Sequence, residues 1–346
     1  MIVGDRFIPA EFYVDALVEA CGSKFGPVHG VEWPGTKAEQ HAEQQTMEWH
    51  GPEAVPVPDE MLEAVGEAEV LAVHFAPVPR TVLRAAPSLR AVCVARTGLE
   101  NIDVAAATAL GVAVVPVFGR NATAVAELAA GLMLTEARDI ARTDASVKAG
   151  GWRKTLSRPG REIGDSTVGM VGFGHVGRAF ATVLRGFGAR LTAYDPYVSA
   201  DVMAEHSVVR ADSLDTVFQE SDFVQVFARL TAETERFVRA PHLALMKPTA
   251  YFVNTARSRL VDTAALYDAL AAHRIAGAAL DVHDQEPLPA GSPWRRLDNV
   301  TITTHFAGDT TTTSVRSAGL VAEAIAELSA TGRCARAVNA RELGWV

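Results

Sequence analysis

From Val70 onward, short β-rich runs alternate with helical patterns: EVLAVHF, LRAVCVA, VAVVPV, STVGMVGFG, RLTAYD, DFVQVFA, AYFVNTA, GAALDVH and NVTITTH. The apolar residues in these runs are continuous rather than alternating. A strand that is apolar on both faces needs cover on both, which predicts parallel sheets flanked by helices. Between the runs, Asn121 heads NATAVAELAAGLMLTEARDIARTDASVKAGG, predicting one long helix that stops near Gly150 and Gly151. Over part of its length that helix is apolar on two faces, as in a helix packed between subunits or one buried within a chain. Upstream, Gly26 to Pro58 is irregular, with a polar segment from Thr36 to His50 that predicts a surface helix. NVTITTH leads into a helical pattern reaching about residue 330, which could return to the N-terminal part and complete it.

Length adds a second domain to this picture. A chain of 346 residues, 49% hydrophobic and 21% charged, suits two compact globular units. The net charge of −9 gives no footprint for nucleic acid or an anionic membrane. Cys21, Cys93 and Cys334 are odd in number and scattered, so they match neither a disulfide framework nor a zinc spacing. The first residues, MIVGDRFIPAEF, make a poor signal peptide, and no uncharged apolar run approaches the ~20 residues that span a bilayer. The expectation is a soluble, cytoplasmic protein.

The strongest chemical signal is STVGMVGFGHVGRAFATVLRGFGARLTAYDP. Gly172, Gly174 and Gly177 form G-x-G-x-x-G after an apolar run and before a helical pattern. That spacing serves a tight turn, close backbone approach to a pyrophosphate and close helix–strand contact, with free N–H groups at the helix start for the phosphates. The next run ends in Asp195, 195 − 177 = 18 residues past the last glycine. An acid there accepts from both ribose hydroxyls and repels a 2′-phosphate, which selects NAD over NADP.

A bound nicotinamide calls for a general acid/base and a group that fixes the substrate. Ten histidines compete. His305 and His283, each ending an apolar run, are the best placed. The small residues after His305 favour it, and Glu286 could orient either ring. Arg257 and Arg259 follow the run YFVN, where a guanidinium either meets an anion or marks a solvated strand end.

In order along the chain stand TGLENID, GRNATAVAE, VGFGHVG with YDP, LALMKPTAYFVNTARSRLVD, GAALDVHDQEPLP and TTHFAGDT. With these six blocks the chain resembles the D-isomer-specific 2-hydroxyacid dehydrogenases over roughly residues 60–330. The resemblance implies an α/β fold of two Rossmann-like domains. A flavodoxin-like substrate domain (1–118 and 311–346) would carry an inserted NAD-binding Rossmann domain (119–310), with dimers formed through the long helix after Asn121. It implies hydride transfer between NAD and a D-2-hydroxy acid or its 2-oxo acid. Arg257 would grip the substrate's carboxylate and carbonyl, with His305 as acid/base and Glu286 as its partner. Thr97 and Gly98 would hold the carboxylate by backbone N–H groups. Asp281 would accept from the nicotinamide carboxamide. His175, Val176, Thr231, Thr255, Ala256 and Gly308 would line the cofactor.

Four departures from the family pattern stand out: His175 for arginine, Ser258 and Arg96 where glycine is common, and Phe227 to Thr231 for H-x-P-L-T. His74-Phe75-Ala76-Pro77 replaces the arginine with which phosphoglycerate dehydrogenases bind phosphate, leaving Arg80, Arg96 or Arg120 to substitute. Two other readings share the fold. One is an NAD-sensing corepressor-like binding protein. The other is a formate or phosphite dehydrogenase, and Glu286 speaks against the formate branch because formate enzymes carry glutamine there.

Overall fold

A computed structural model describes residues 1–22, 25–155 and 158–346. The chain divides into two compact units, Met1–Asn121 with Asp309–Val346, and Ala122–Gly308.

The first unit runs β1 (Ile2–Gly4), α1 (Ala10–Cys21), β2 (Gly30–Glu32), α2 (Lys37–His50), α3 (Asp59–Ala64), β3 (Val70–Val73), α4 (Arg80–Ala85), β4 (Ala91–Val94), α5 (Val104–Ala109) and β5 (Ala113–Pro116). Its strands pair in parallel in the order β2-β1-β3-β4-β5, the flavodoxin-like arrangement. All four residues of β4 and of β5 are buried, so the continuous apolar runs do report strands covered on both faces. α2 starts where the polar pattern predicts. Thr36 accepts from the Glu39 N–H while the Glu39 carboxylate accepts from the Thr36 N–H, a capping box.

The second unit runs α6 (Ala122–Arg138), α7 (Ile140–Lys148), β6 (Thr167–Val171), α8 (His175–Leu184), β7 (Arg190–Tyr194), α9 (Ala200–Glu205), β8 (Val208–Arg210), α10 (Leu214–Glu220), β9 (Phe223–Val226), α11 (Ala240–Leu245), β10 (Tyr251–Asn254), α12 (Thr263–Ala271), β11 (Gly277–Leu280) and β12 (Val300–Ile302). The seven strands are parallel in the order β12-β11-β10-β9-β6-β7-β8. Counted from β6, this is the doubly wound order 3-2-1-4-5-6 with one strand added. The topological switch falls between β6 and β9, and the glycine loop leaves the C-terminal end of β6.

The single long helix expected after Asn121 is two helices. Asp139 adopts a left-handed backbone, φ 55° and ψ 32°, which ends the i→i−4 ladder of α6. The conformation costs about 1 kcal/mol for a non-glycine residue. Two ion pairs hold it, from Arg142 Nη1 and Arg153 Nη2, both 3.1 Å from the carboxylate.

A last helix, α13 (Thr311–Thr331), packs Ala318, Val321, Ala322, Ala324 and Leu328 with Tyr13 and Leu17 of α1 and with Cys93 and Val115 of the first sheet. Beyond it, the buried Asn339 accepts from the Val114 N–H at 3.0 Å and donates to the Val112 carbonyl at 2.9 Å, closing the free edge of β5. Cys93 and Cys334 are buried core residues without a disulfide, and burial pushes the Cys93 thiol up to about 12. No helix among the described residues is long and apolar enough to cross a membrane.

Candidate active site

At the switch point, Gly172 adopts φ +96°, and a Cβ there would lie 2.7 Å from the Ala228 nitrogen. A Cβ at Gly177 would stand 2.9 Å from the Gly172 carbonyl oxygen, so this glycine allows α8 to cross close to the strand end. Gly174 differs. A side chain there would meet no protein atom within 4 Å, so packing gives no reason for glycine at this exposed N-cap. Backbone approach by a ligand does. His175 is exposed and Val176 half-buried in the first turn of α8, whose leading N–H groups have no side-chain cap.

Asp195, at the end of β7, accepts from the Phe173 N–H at 2.9 Å and the Tyr197 N–H at 2.9 Å. Its carboxylate thereby clasps the glycine loop and keeps acceptor capacity for two hydroxyls. Thr255, past the end of β10, is buried, and its hydroxyl has no partner among the described residues. Thr231 is exposed and bonded within its own turn, to Glu233 at 2.7 Å. The open Gly174 position, the uncapped α8 start and the Asp195 clasp fit a dinucleotide.

On the other half of the same sheet, Asn254 ends β10 and ties the next three residues into a turn. Its carbonyl oxygen accepts from the Ala256 N–H, and its amide donates to the Arg257 carbonyl, both at 3.0 Å. Asparagine bonding its own following backbone is the ordinary chemistry of such turns. Arg257 emerges from this turn and donates through Nη1 to the Ala256 carbonyl at 2.8 Å. Arg259 is paired with Glu235 at 2.9 Å, which removes it from contention for a substrate anion. Ser258, between them, is buried and lines a cavity of about 290 Å³ with Leu280, Val282, His283 and Trp294.

The two strand-end histidines differ in their partners. His283 Nε2 lies 2.8 Å from the Thr303 carbonyl, and its own N–H donates to Glu286 Oε1 at 2.8 Å. His305 Nδ1 lies 2.8 Å from Glu286 Oε2. Glu286 therefore spans both residues, held by the backbone of one and holding the ring of the other. The Glu286 carboxylate engages Nδ1 and so fixes the orientation of the His305 ring.

His305 itself has φ +58°, a left-handed turn directly after β12. Asp281 holds that turn. Fully buried, it accepts from Thr303 Oγ1 at 2.6 Å, Phe306 N–H at 3.2 Å and Ala307 N–H at 3.0 Å. Three of its roughly four acceptor positions are thus occupied by the turn. Gly308 follows, half-buried, at the end of the unit. The positioning roles of Asn254, Asp281 and Thr303 escaped the sequence reading, although the Asn254 turn was open to it from residue chemistry alone.

In the first unit, Thr97 and Gly98 follow β4. The Thr97 hydroxyl donates to the Val117 carbonyl at 3.0 Å, which ties the loop to the residue just past β5. A Cβ at Gly98 would fall 2.4 Å from Glu100 Oε2 and 2.8 Å from Arg96 Nη2.

Residues 130–307 match the family model described as D-isomer specific 2-hydroxyacid dehydrogenase, NAD binding domain. The chain belongs to that family. It is 37% identical over 268 residues to the D-3-phosphoglycerate dehydrogenase of Methanocaldococcus jannaschii, a match covering 77% of this chain and 51% of that protein. It is 36% identical over 292 residues to the glyoxylate reductase of Korarchaeum cryptofilum, covering 83% and 87%. The chain thus spans about half the length of the phosphoglycerate dehydrogenases it matches. Among solved structures it resembles the apo-structure of Escherichia coli D-lactate dehydrogenase, with a TM-score of 0.73 and 25% identity over 98% of this chain and all of that one. The family's NAD-binding domain therefore coincides with the unit that carries the glycine loop and the His305–Glu286 pair.

Proposed function

We propose that the chain is an NAD-dependent dehydrogenase that interconverts a D-2-hydroxy acid and its 2-oxo acid. The observation that carries this reading is the 2.8 Å contact of His305 Nδ1 with Glu286 at the C-terminal edge of the sheet bearing the glycine loop. NAD, when bound, supplies the site that takes up or delivers the hydride. The remaining work falls to side chains. Arg257 offers a planar fork suited to a carboxylate and the neighbouring carbonyl oxygen. Thr97 and Gly98 hold the carboxylate through backbone N–H groups. His305 Nε2 gives a proton to the ketone oxygen in reduction and takes it back in oxidation, while Glu286 keeps the ring in one tautomer. Asp195, close to the glycine loop, favours a ribose with a free 2′-hydroxyl over a 2′-phosphate. The cofactor shell also takes in Gly172, Gly174, His175, Val176, Gly177, Thr231, Thr255, Ala256, Asp281 and Gly308.

The same reading makes the protein a cytoplasmic homodimer joined through α6 and α7, where Ile140 and Val147 are exposed apolar residues. Light scattering on the purified chain tests the dimer. The activity is tested by loss of NADH absorbance with glyoxylate, hydroxypyruvate and pyruvate. His305→Ala and Arg257→Ala are each expected to lower kcat/KM by at least 10²-fold, the scale of a lost general acid or charge clamp. Full turnover in both variants refutes the site. NADH binding with no turnover on any 2-oxo acid points instead to an NAD-sensing scaffold.

A further inference from the structure

The cavity beside Ser258 lies wholly within the second unit and is built from the two loops that carry the proposed site. Ser258 follows Arg257 in sequence, and Gln285 precedes Glu286; both line the cavity. Among the described residues, none of those assigned to substrate or cofactor lines it: not Arg257, Asp281, Glu286 or His305, and no glycine of the α8 loop. Each loop thus gives one set of residues to the site and another to the cavity. An apolar cavity of about 150 Å³ is enough to take up benzene. This one measures about 290 Å³.

Its wall is mostly apolar, with Leu266 of α12, Leu280 of β11, Val282 and Trp294 contributing. Trp294 meets the Tyr267 ring edge-on, centroids 5.4 Å apart and planes at 78°. Two hydroxyls interrupt that wall. Ser258 is 8% exposed and Ser292 is 9% exposed, and neither hydroxyl bonds to another described residue. Ser292 stands at the head of a short 3-10 turn, Pro293–Arg296, without capping it. Polar groups buried to that extent are normally paired. Ser258 is also one of the departures from the family pattern, so its hydroxyl is a feature of this chain. No lysine, arginine or glutamate lines the cavity among the described residues. Asp284, its one acid, is exposed and accepts from the Thr263 hydroxyl.

We propose that this cavity is a binding site for a small, uncharged aromatic molecule bearing a hydroxyl, distinct from the sites for substrate and cofactor. The proposal goes beyond the dehydrogenase reading and does not rest on it. The apolar wall favours an apolar body. Trp294 gives a ring a partner for edge-to-face or offset packing, which aliphatic ligands cannot use. A ligand hydroxyl is both donor and acceptor, so it can pair with either serine and satisfy a group that the fold leaves without a protein partner. A carboxylate or phosphate would shed its water with no cation to receive it. An ammonium would find only the exposed Asp284, at the cost of burying its charge against leucine and valine.

The test is a set of saturation-transfer NMR titrations of the full chain with benzyl alcohol, toluene, benzoate and benzylamine, each without and with NADH. Benzyl alcohol is expected to bind wild type with a dissociation constant of about 1 mM or below. Toluene, the same body without the hydroxyl, should bind about three- to tenfold more weakly, the worth of one neutral hydrogen bond. Benzoate and benzylamine should bind at least about tenfold more weakly than the alcohol. In Ser258→Ala/Ser292→Ala the alcohol should lose its advantage while toluene still binds, which shows the cavity intact. Leu288→Trp, which fills the cavity from a half-buried wall position, should remove binding of both, with far-UV circular dichroism confirming the fold. Equal affinity of wild type for alcohol and toluene overturns the proposal. So does a charged ligand that binds as well as the alcohol, displacement of the alcohol by NADH, or no binding at all. None of these outcomes involves turnover of a 2-oxo acid, so the dehydrogenase reading stands or falls separately.

Discussion

Asp281→Asn is the most informative single change, because one buried carboxylate holds the turn that aims His305. Three donors converge on it: the Thr303 hydroxyl, the Phe306 N–H and the Ala307 N–H. An asparagine offers one acceptor oxygen and a donating NH₂, so at least one buried N–H is left facing another donor. An orphaned buried donor costs about 1–3 kcal/mol, and the surviving bonds lose their charge assistance at about 1 kcal/mol each. The expected loss is about 3–4 kcal/mol, concentrated between Thr303 and Ala307. His305 sits in a left-handed conformation with φ +58°, unfavourable by about 1–2 kcal/mol for a residue with a Cβ. Once the anchoring is gone, that strain relaxes and the imidazole moves. A displacement of about 1 Å at a reacting group costs roughly 10²-fold in rate. We therefore expect kcat for 2-oxo acid reduction to fall about a hundredfold, a lower denaturation midpoint, and an NADH dissociation constant, read by fluorescence titration, raised by no more than about tenfold through the altered carboxamide contact. A kcat within twofold of wild type refutes the positioning argument. So does a weakened NADH affinity that accounts for the whole loss, because that result would make Asp281 a cofactor ligand and nothing more.

Three further outcomes follow from the geometry. His74 holds its pKa near 4 because burial outweighs the attraction of Asp5, whereas an unfolded histidine titrates near 6.5. Between those values the unfolded chain binds a proton that the folded chain refuses, so stability falls as pH drops from about 6.5 to 4. The fall is about 3 kcal/mol at 1.36 kcal/mol per unit. Urea midpoints at pH 7, 5.5 and 4.5 should show it, and a pH-independent midpoint over that range contradicts it. Asn339→Ala removes the acceptor of the Val114 N–H and the donor to the Val112 carbonyl, with an expected cost of about 2–4 kcal/mol by denaturant titration; a loss below 0.5 kcal/mol would mean water closes that edge equally well. Asp195→Ala is expected to weaken NADH binding at least tenfold and to narrow the gap between NADH and NADPH, and an unchanged preference would show that the acid serves only its two backbone partners.

Much of this protein was legible in one dimension because its signals are local. Continuous apolar runs report strands covered on both faces, and both sheets are parallel. The glycine spacing reports a turn whose requirements are steric, and Gly172 and Gly177 meet backbone atoms within 3 Å of where a side chain would begin. Tertiary structure decided what depends on partners far apart in sequence. The break between α6 and α7 needs Arg153 to reach Asp139, and nothing in the helical pattern marks it. His283 and His305 looked alike as strand-end histidines. Only the folded loop turned one toward the Thr303 carbonyl and set the other's Nδ1 against Glu286 Oε2. Arg96 read as a spare cation until α2 brought Glu48 against it, 48 residues away. Residue type sets which interactions a side chain can make, and the fold sets which of them are already taken.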